Sequence, residues 1–308
     1  MREAIGREAW QSPKNAIEER PGWLSYQALL DADTRPVPEV LRRTNPLNLP
    51  PSEVSIERYT SRDFFDLEVE KLWKRVWQMA CREEDVPNVG DNIVYGIAGM
   101  SFLVVRTSPN TFKAFYNACL HRGRLLRESG GLRATEFRCP FHGFAWNIDG
   151  TLKHVPCQWD FPQIQPSEWC LPEAEVGTWG GFVFINPDPE ADSFDDFIGP
   201  ELTDQFRRWP LERRYKQAHV AKVLRCNWKV AQEAFMEAFH VVATHPQLLA
   251  GIGDANSQYD VWGNFSRAIT ANGLPARTYR GSLLSKKCSM RWSIVAWTSR
   301  QLLRSEMG

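Results

Sequence analysis

Two short segments of the sequence each pair a thiol with an imidazole: Cys119-Leu120-His121 and, after seventeen intervening residues, Cys139-Pro140-Phe141-His142. A zinc site of two Cys and two His more often keeps both Cys in one half and both His in the other. Mixed halves suit a [2Fe–2S] cluster in which one iron takes two thiolates and the other two imidazoles, because two such loops can grip both irons. Neutral imidazoles in place of two thiolates also remove negative charge and raise the potential, which fits a one-electron relay. Gly123, Pro140 and Gly143 beside the candidate ligands allow tight turns and close backbone approach. The alternatives are a structural zinc site or unconnected buried side chains. Cys81, Cys157, Cys170, Cys226 and Cys288 lie outside the pattern and are expected to be buried.

A second group follows Asn227-Trp228-Lys229, where Glu237 precedes His240 by three residues and His245-Pro246 comes five residues later. The spacing predicts one helix over Asn227–Ala243, with Val230, Ala234, Phe235, Ala238, Phe239 and Val242 on its apolar side and Glu237 and His240 on a common face. His245 falls off that face, but Pro246 pushes it out of helical geometry and lets the chain bend it back. Two His with a carboxylate and open positions is the arrangement of non-haem Fe(II) oxygenases. Alone, such a His pair is more often structural. Beside a one-electron relay it has a use, because dioxygen activation at iron consumes electrons singly.

Stepping outward from these residues, the texture between Val86 and Pro187 is that of an antiparallel all-β domain. Runs such as Asn92–Tyr95, Phe102–Val105, Phe112–Phe115, Thr135–Arg138 and Gly181–Ile185 are separated by turn residues. A helix is predicted to open at Ser61 and run to Trp77, and another over Phe197–Trp209, with a domain boundary near residue 190. Residues 1–52 are polar and Pro-interrupted, with a short helix near Trp23–Ala32, and are expected to form an arm over the surface. From Leu274 onward seven Lys or Arg stand against the single Glu306.

The whole chain of 308 residues is large enough for two domains and, at 43% apolar, for a sizeable core. Thirty-seven basic residues balance thirty-seven acidic ones, so no global field exists to hold nucleic acid or an anionic membrane. No apolar window is long enough to span a bilayer and the first residues lack a secretory pattern, so the cytoplasm is the expected location.

Through Cys119-Leu120-His121-Arg122-Gly123, Cys139-Pro140-Phe141-His142-Gly143 and the Asn227-Trp228-Lys229 segment with its Glu237, His240 and His245, the chain resembles the Rieske non-haem iron aromatic ring-hydroxylating oxygenases, in their alpha (catalytic) subunit. The family often has Tyr where Phe141 stands and Trp where Phe144 stands. The resemblance implies that Cys119 and Cys139 ligate one cluster iron and His121 and His142 the other. It further implies that His240 and His245 hold a mononuclear Fe(II), and that Glu237 links them to the cluster of a neighbouring subunit. It implies an α+β fold with an N-terminal arm at 1–52 and an all-β Rieske [2Fe–2S] domain at 53–190. A partial helix-grip type catalytic domain would follow at 191–273, then an atypical basic tail at 274–308.

The activity implied is hydroxylation of an apolar, aromatic or polycyclic substrate with O2. Electrons would come from NAD(P)H through a separate reductase, with or without a ferredoxin, since the chain shows no Gly-rich dinucleotide fingerprint. The implied assembly is a homo-oligomer, commonly a trimer. The family's third iron ligand is an Asp or Glu well beyond the 63 residues that follow His245, and downstream acids are only Asp254, Asp260 and Glu306. A chain shortened in its catalytic domain is therefore expected, with cluster absorption but weak iron retention and little substrate oxidation. The rival expectations are a remnant that binds the cluster and passes electrons without oxygenating, and a structural zinc-binding protein.

Overall fold

The computed structural model describes residues 25–47, 52–273, 275–276 and the backbone of a strand at Arg291–Thr298. Cys288 and Glu306 lie outside the described residues, and the side chain of Asp254 is likewise not described. The described residues fall into two compact units, one of 52–233 with 261–266 and 297–298, the other of 25–47, 234–260, 267–276 and 291–296, residue 274 aside.

The larger unit is built on antiparallel strands β1 (Gln78–Arg82), β2 (Asn92–Ile97), β3 (Met100–Ser108), β4 (Thr111–Tyr116), β5 (Glu136–Arg138), β6 (Ala145–Asn147), β7 (Leu152–His154), β8 (Glu173–Trp179) and β9 (Phe182–Asn186). Six of them form one sheet in the order β1-β9-β8-β4-β3-β2, and β5-β6-β7 form a second, three-stranded sheet. Strand β3, between β4 and the edge strand β2, shows why two cores arise. Its residues Phe102, Leu103, Val104 and Val105 are all fully buried, and the period of two sends them alternately to opposite faces. Leu103 and Val105 join Phe115, Phe137 and Trp146 around Cys119 and Cys139. Phe102 and Val104 join Ala114, Val183 and Ile185 on the other side.

Ser61 caps α4 (Arg62–Glu68) as its sequence suggests, accepting from the Phe64 N–H at 3.2 Å. The predicted continuation to Trp77 changes character: Val69–Trp73 is a π-turn, with the Lys74 N–H donating to the Val69 carbonyl. This wider turn carries Trp73 edge-on to Trp228, ring centroids 5.0 Å apart. Ahead of α4 lies the short α3 (Glu57–Thr60). The helix predicted over Phe197–Trp209 starts three residues earlier, as α5 (Phe194–Phe206), because Ser193 supplies its cap. It is kinked at Gly199-Pro200, where Gly199 takes φ 69°.

Strands β10 (Ile252–Trp262), β11 (Phe265–Asn272) and β12 (Arg291–Thr298), most of whose residues belong to the smaller unit, form a sheet in that order. The last of these lies in the basic tail, where the sequence shows no alternation to predict a strand. Helices α1 (Tyr26–Asp31) and α2 (Glu39–Arg42) belong to this unit too. Residues 26–45 thus depart from the expected surface arm, because Tyr26, Leu29, Leu30, Val40 and Leu41 are buried apolar side chains that need a core.

An ion pair latches this segment down. Arg267, on β11, donates to Asp260 at 2.6 Å, and both side chains are buried. Arg267 also donates to the carbonyls of Val40 and Arg43, and Asp260 accepts from the Asn45 N–H at 2.8 Å. Removing one partner strands a buried charge. Arg267→Met is expected to cost about 3–5 kcal/mol in denaturant unfolding, and the double change Arg267→Met with Asp260→Leu less than either single one. A single change costing under about 1 kcal/mol would contradict the latch.

Candidate metal centres

Both Cys-His segments sit in loops of the larger unit, and their backbones close in the same way. The Cys119 N–H donates to Arg124 O at 2.8 Å and the Gly123 N–H to Cys119 O at 2.8 Å. The Cys139 N–H donates to Phe144 O at 2.7 Å and the Gly143 N–H to Cys139 O at 3.0 Å. Gly123 and Gly143 close the turns at φ 72° and φ 80°, conformations that glycine adopts without a Cβ penalty. The loops place His at different distances from Cys, two residues in the first and three in the second.

Cys119 and Cys139 are buried side by side, within hydrogen-bonding reach of each other. His121 and His142 sit toward the surface, ring centroids 4.8 Å apart. Burial pushes the Cys119 thiol up, backbone N–H groups of His121 and Arg122 pull it back, and the adjacent Cys139 pushes it up further. The Cys119 thiol thus resists becoming a thiolate unless a cation offsets its charge, a condition that a bound metal would meet. Burial, then His142, then Arg122 hold His121 below the usual imidazole range. That favours the neutral ring, the ligating form.

The donors therefore divide into an inner sulfur pair and an outer nitrogen pair. Such a division fits a centre spread over two irons, one held by thiolates and the other by imidazoles.

The surroundings of the imidazoles are aromatic. Phe144 stacks on His121 at 4.8 Å and 16°, Phe161 meets it edge-on, and Phe141 lies 3.9 Å from the His142 ring under the Arg122 guanidinium. Arg138 braces the second loop by donating to Gly143 O at 3.0 Å. Neither Phe161 nor Arg138 is singled out by spacing, although Arg138 directly precedes a candidate ligand. Of the other described cysteines, Cys81 on β1 packs against the second core, whereas Cys157, Cys170 and Cys226 depart from the expectation of burial and are exposed in irregular segments.

The second group is reached by a different backbone from the one its spacing predicts. The expected helix over Asn227–Ala243 is two short helices, α6 (Trp228–Glu233) and α7 (Val241–Thr244), with turns between. Glu237 accounts for the break. Its Oε2 accepts from the N–H groups of Phe239 and His240, competing with helical bonding and opening α7 instead. The apolar side expected of one helix is consequently not a buried stripe; Val230, Phe235, Phe239 and Val242 are exposed.

Glu237 and His240 still meet, Oε1 lying 2.5 Å from Nδ1. Burial would raise Glu237, but the His240 ring and the two backbone donors outweigh it and hold the carboxyl below its usual range. With Nδ1 donating to a carboxylate, the Nε2 lone pair of His240 is left to face a metal. His245 ends α7 at φ −128°, ψ 52°, outside helical space before Pro246, and its ring centroid lies 5.4 Å from that of His240. Asp260, one of the three downstream carboxylates, is not free to join them, since Arg267 and Asn45 already hold both its oxygens.

The start of α6 is pinned within the larger unit by a contact that spacing does not reveal. Glu68 on α4 accepts from Lys229 Nζ at 2.5 Å and from Trp228 Nε1 at 3.0 Å, with Lys229 buried. Asn227 donates to Tyr59 O, and the Tyr59 hydroxyl to Glu233.

Residues 76–165 match the Rieske [2Fe-2S] domain family, and residues 205–292 match the ring hydroxylating alpha subunit (catalytic domain) family. The first match contains both loops, and the second contains Glu237, His240 and His245. The two matches assign these stretches of the chain to the Rieske non-haem iron ring-hydroxylating oxygenases, alpha-subunit type.

Among relatives in this Rieske family, the anthranilate 1,2-dioxygenase large subunit of Acinetobacter baylyi is 30% identical over 62% of this chain and 42% of its own length. The carnitine monooxygenase oxygenase subunit of Escherichia coli is 28% identical over 61% of this chain and 50% of its own. The chain thus spans half or less of the length of these curated relatives. A solved quaternary ammonium Rieske monooxygenase shares the fold, with TM-score 0.69 at 22% identity over 79% of this chain and 65% of that one. Naphthalene 1,2-dioxygenase from Rhodococcus sp. gives 0.59 at 25% identity over 69% and 52%.

Positive φ at both loop glycines has a measurable consequence. Gly123→Ala, where an added Cβ meets nothing within 4 Å, is expected to lose about 1 kcal/mol from backbone strain alone. Gly143→Ala is expected to lose a similar amount, since its Cβ would meet Pro156 only in ordinary contact at 3.4 Å. Thermal unfolding of the two variants measures both losses, and negligible losses would contradict the strain.

Proposed function

We propose that the chain acts as the alpha-type subunit of a Rieske oxygenase, with Cys119 and Cys139 holding one iron of a [2Fe–2S] cluster, His121 and His142 the other, and His240 with His245 a mononuclear Fe(II). The observation that carries this reading is the division of the two loops' donors into a buried sulfur pair and an outer imidazole pair. When bound, the cluster supplies one-electron transfer and the iron supplies reductive activation of O2 for hydroxylation.

The protein's own part is positional. The paired loop closures hold the sulfurs together in an apolar core, and the rings of Phe144 and Phe141 fix the planes of His121 and His142. Glu237 keeps the His240 proton on Nδ1 and so orients Nε2. Its further proposed role is to carry the link to a neighbouring subunit's cluster within a homo-oligomer, commonly a trimer. Exposure of the outer imidazole His142 is compatible with electron entry or exit there. Electrons are proposed to arrive from NAD(P)H by way of a separate reductase or ferredoxin.

The substrate is proposed to be a small apolar ring compound, aromatic or polycyclic. The names of the relatives span anthranilate, chlorobenzene and biphenyl on one side and carnitine on the other, so substrate comparison should include a quaternary ammonium compound. Among the described residues no helix is long and apolar enough to cross a membrane; the proposed location is the cytoplasm.

A second reading, a protein that binds the cluster and passes electrons without oxygenating, is favoured by one observation: Asp260 is committed to Arg267 and Asn45 rather than to the His pair. Iron and acid-labile sulfide analysis of the purified protein separates the two. Two irons with two sulfides per chain are expected for the cluster. A third iron that disappears in His240→Ala or His245→Ala, with sulfide unchanged, supports the oxygenase reading, and its absence from the parent protein supports the electron carrier. A colourless preparation without sulfide would overturn both.

A further inference from the structure

We infer that Asn117 is the positioning residue that keeps the first cluster loop closed, doing with one side chain what a strand ladder does for the second loop; this rests on the cluster reading above. The two loops close on equivalent backbone pairs, Cys119 with Arg124 and Cys139 with Phe144. Two residues outside each closing pair, their supports differ. In the second loop those positions are Phe137 and Trp146, which face each other in the β5–β6 ladder. In the first loop they are Asn117 and Leu126, and neither lies in a strand.

The backbone of Asn117 cannot supply the missing ladder bond. Its N–H donates to Ser101 O at 2.9 Å, extending the pairing of β4 with β3. The side chain bridges the neck instead. Oδ1 accepts from the N–H groups of Leu126 at 3.1 Å and Arg127 at 3.0 Å, and Nδ2 donates to Arg127 O at 2.7 Å and to Ser101 Oγ at 3.0 Å. Both lone-pair directions and both amide hydrogens are used, on a residue 1% exposed.

No other side chain of similar size offers two acceptor sites and two donors from one planar group. Asp lacks the donors, and Ala leaves two N–H groups and a carbonyl unpaired in a buried neck. Leu126 packs in the same core as both candidate sulfur ligands, so the span between residues 117 and 126 sets the base from which Cys119 and His121 hang. The Asn92–Gly131 bridge closes the chain farther out and does not cross this neck.

The test compares Asn117→Ala and Asn117→Asp with Asn92→Ala in the full chain. Asn92 is an equally buried amide of the same unit, and its side chain bonds Gly90 O and Gly131 O rather than spanning the loop. Iron and acid-labile sulfide are measured against far-UV circular dichroism. For Asn117→Ala a roughly tenfold loss of bound cluster is expected, as for loss of an outer partner of a metal ligand. Cluster that remains is expected to show altered g values and a shifted reduction potential in this charge-neutral variant. Asn92→Ala is expected to keep wild-type cluster content even if its melting temperature drops as far.

If Asn117→Ala does not fold, Asn117→Asp, which retains the two accepted bonds, carries the test. Cluster content below that of Asn92→Ala supports the inference. Wild-type content, g values and potential in the folded Asn117 variants overturn it. Absence of sulfide from the parent protein is a different result, which removes the cluster reading itself.

Discussion

Two loops from different parts of a β framework bring two sulfurs and two imidazole rings close together, and one core of the larger unit packs beneath them. The double-sided burial of β3 makes this affordable. One set of its side chains packs under the loops, while the alternate set anchors the strand to the rest of the sheet. A loop floor supported only from above could shift with every change in the loops; a strand held on both faces cannot. The sulfurs face this floor and the imidazoles face outward, so the least hydrated part of the site holds the groups most in need of a counter-charge.

The His pair of the smaller unit follows another logic. Its geometry depends less on a core than on one carboxylate that addresses both backbone and ring. By accepting from Phe239 and His240 N–H groups, Glu237 ends one helical turn and begins the next, and its other oxygen selects the tautomer of His240. A single side chain thereby fixes where the ring sits and which nitrogen it offers. Helical continuity would have kept His245 off the shared face, whereas the broken path brings its ring next to that of His240.

How much of this was legible in the sequence depends on whether the cause was local. The pairing of Cys119 with His121 and of Cys139 with His142 can be read because the chemistry fixes the spacing within a loop, and the short β-branched runs could be read as strands for the same reason. The break in the helix at Glu237 was hidden, since apolar periodicity from Val230 to Val242 looks continuous and says nothing of a carboxylate bonding to its own backbone. The exposed Cys157, Cys170 and Cys226 show the limit of treating a thiol as a small hydrophobe, because burial is a tendency of the residue type and not a property of a position. Glu68 with Lys229, 161 residues apart, and Arg267 with Val40, 227 apart, carry no local signal at all. The Pro-rich texture of residues 36–51 suggested an arm; the distant partner that holds its first part in place could not be read from it.

That long-range latch bears on the order in which the protein can be made. A chain emerging from the ribosome at about 5–20 residues per second exposes Leu29, Leu30 and Leu41 long before Arg267 has been synthesised, so the helices at its beginning must wait, unprotected, for a strand near the far end. Strands β1–β9 are complete by Asn186, well before Arg267, and can pair in the interval. Nascent molecules therefore pass through a stage in which the cluster-bearing half is formed while the opening segment is still sticky, and that is the stage at which chaperone capture or self-association would act on this protein.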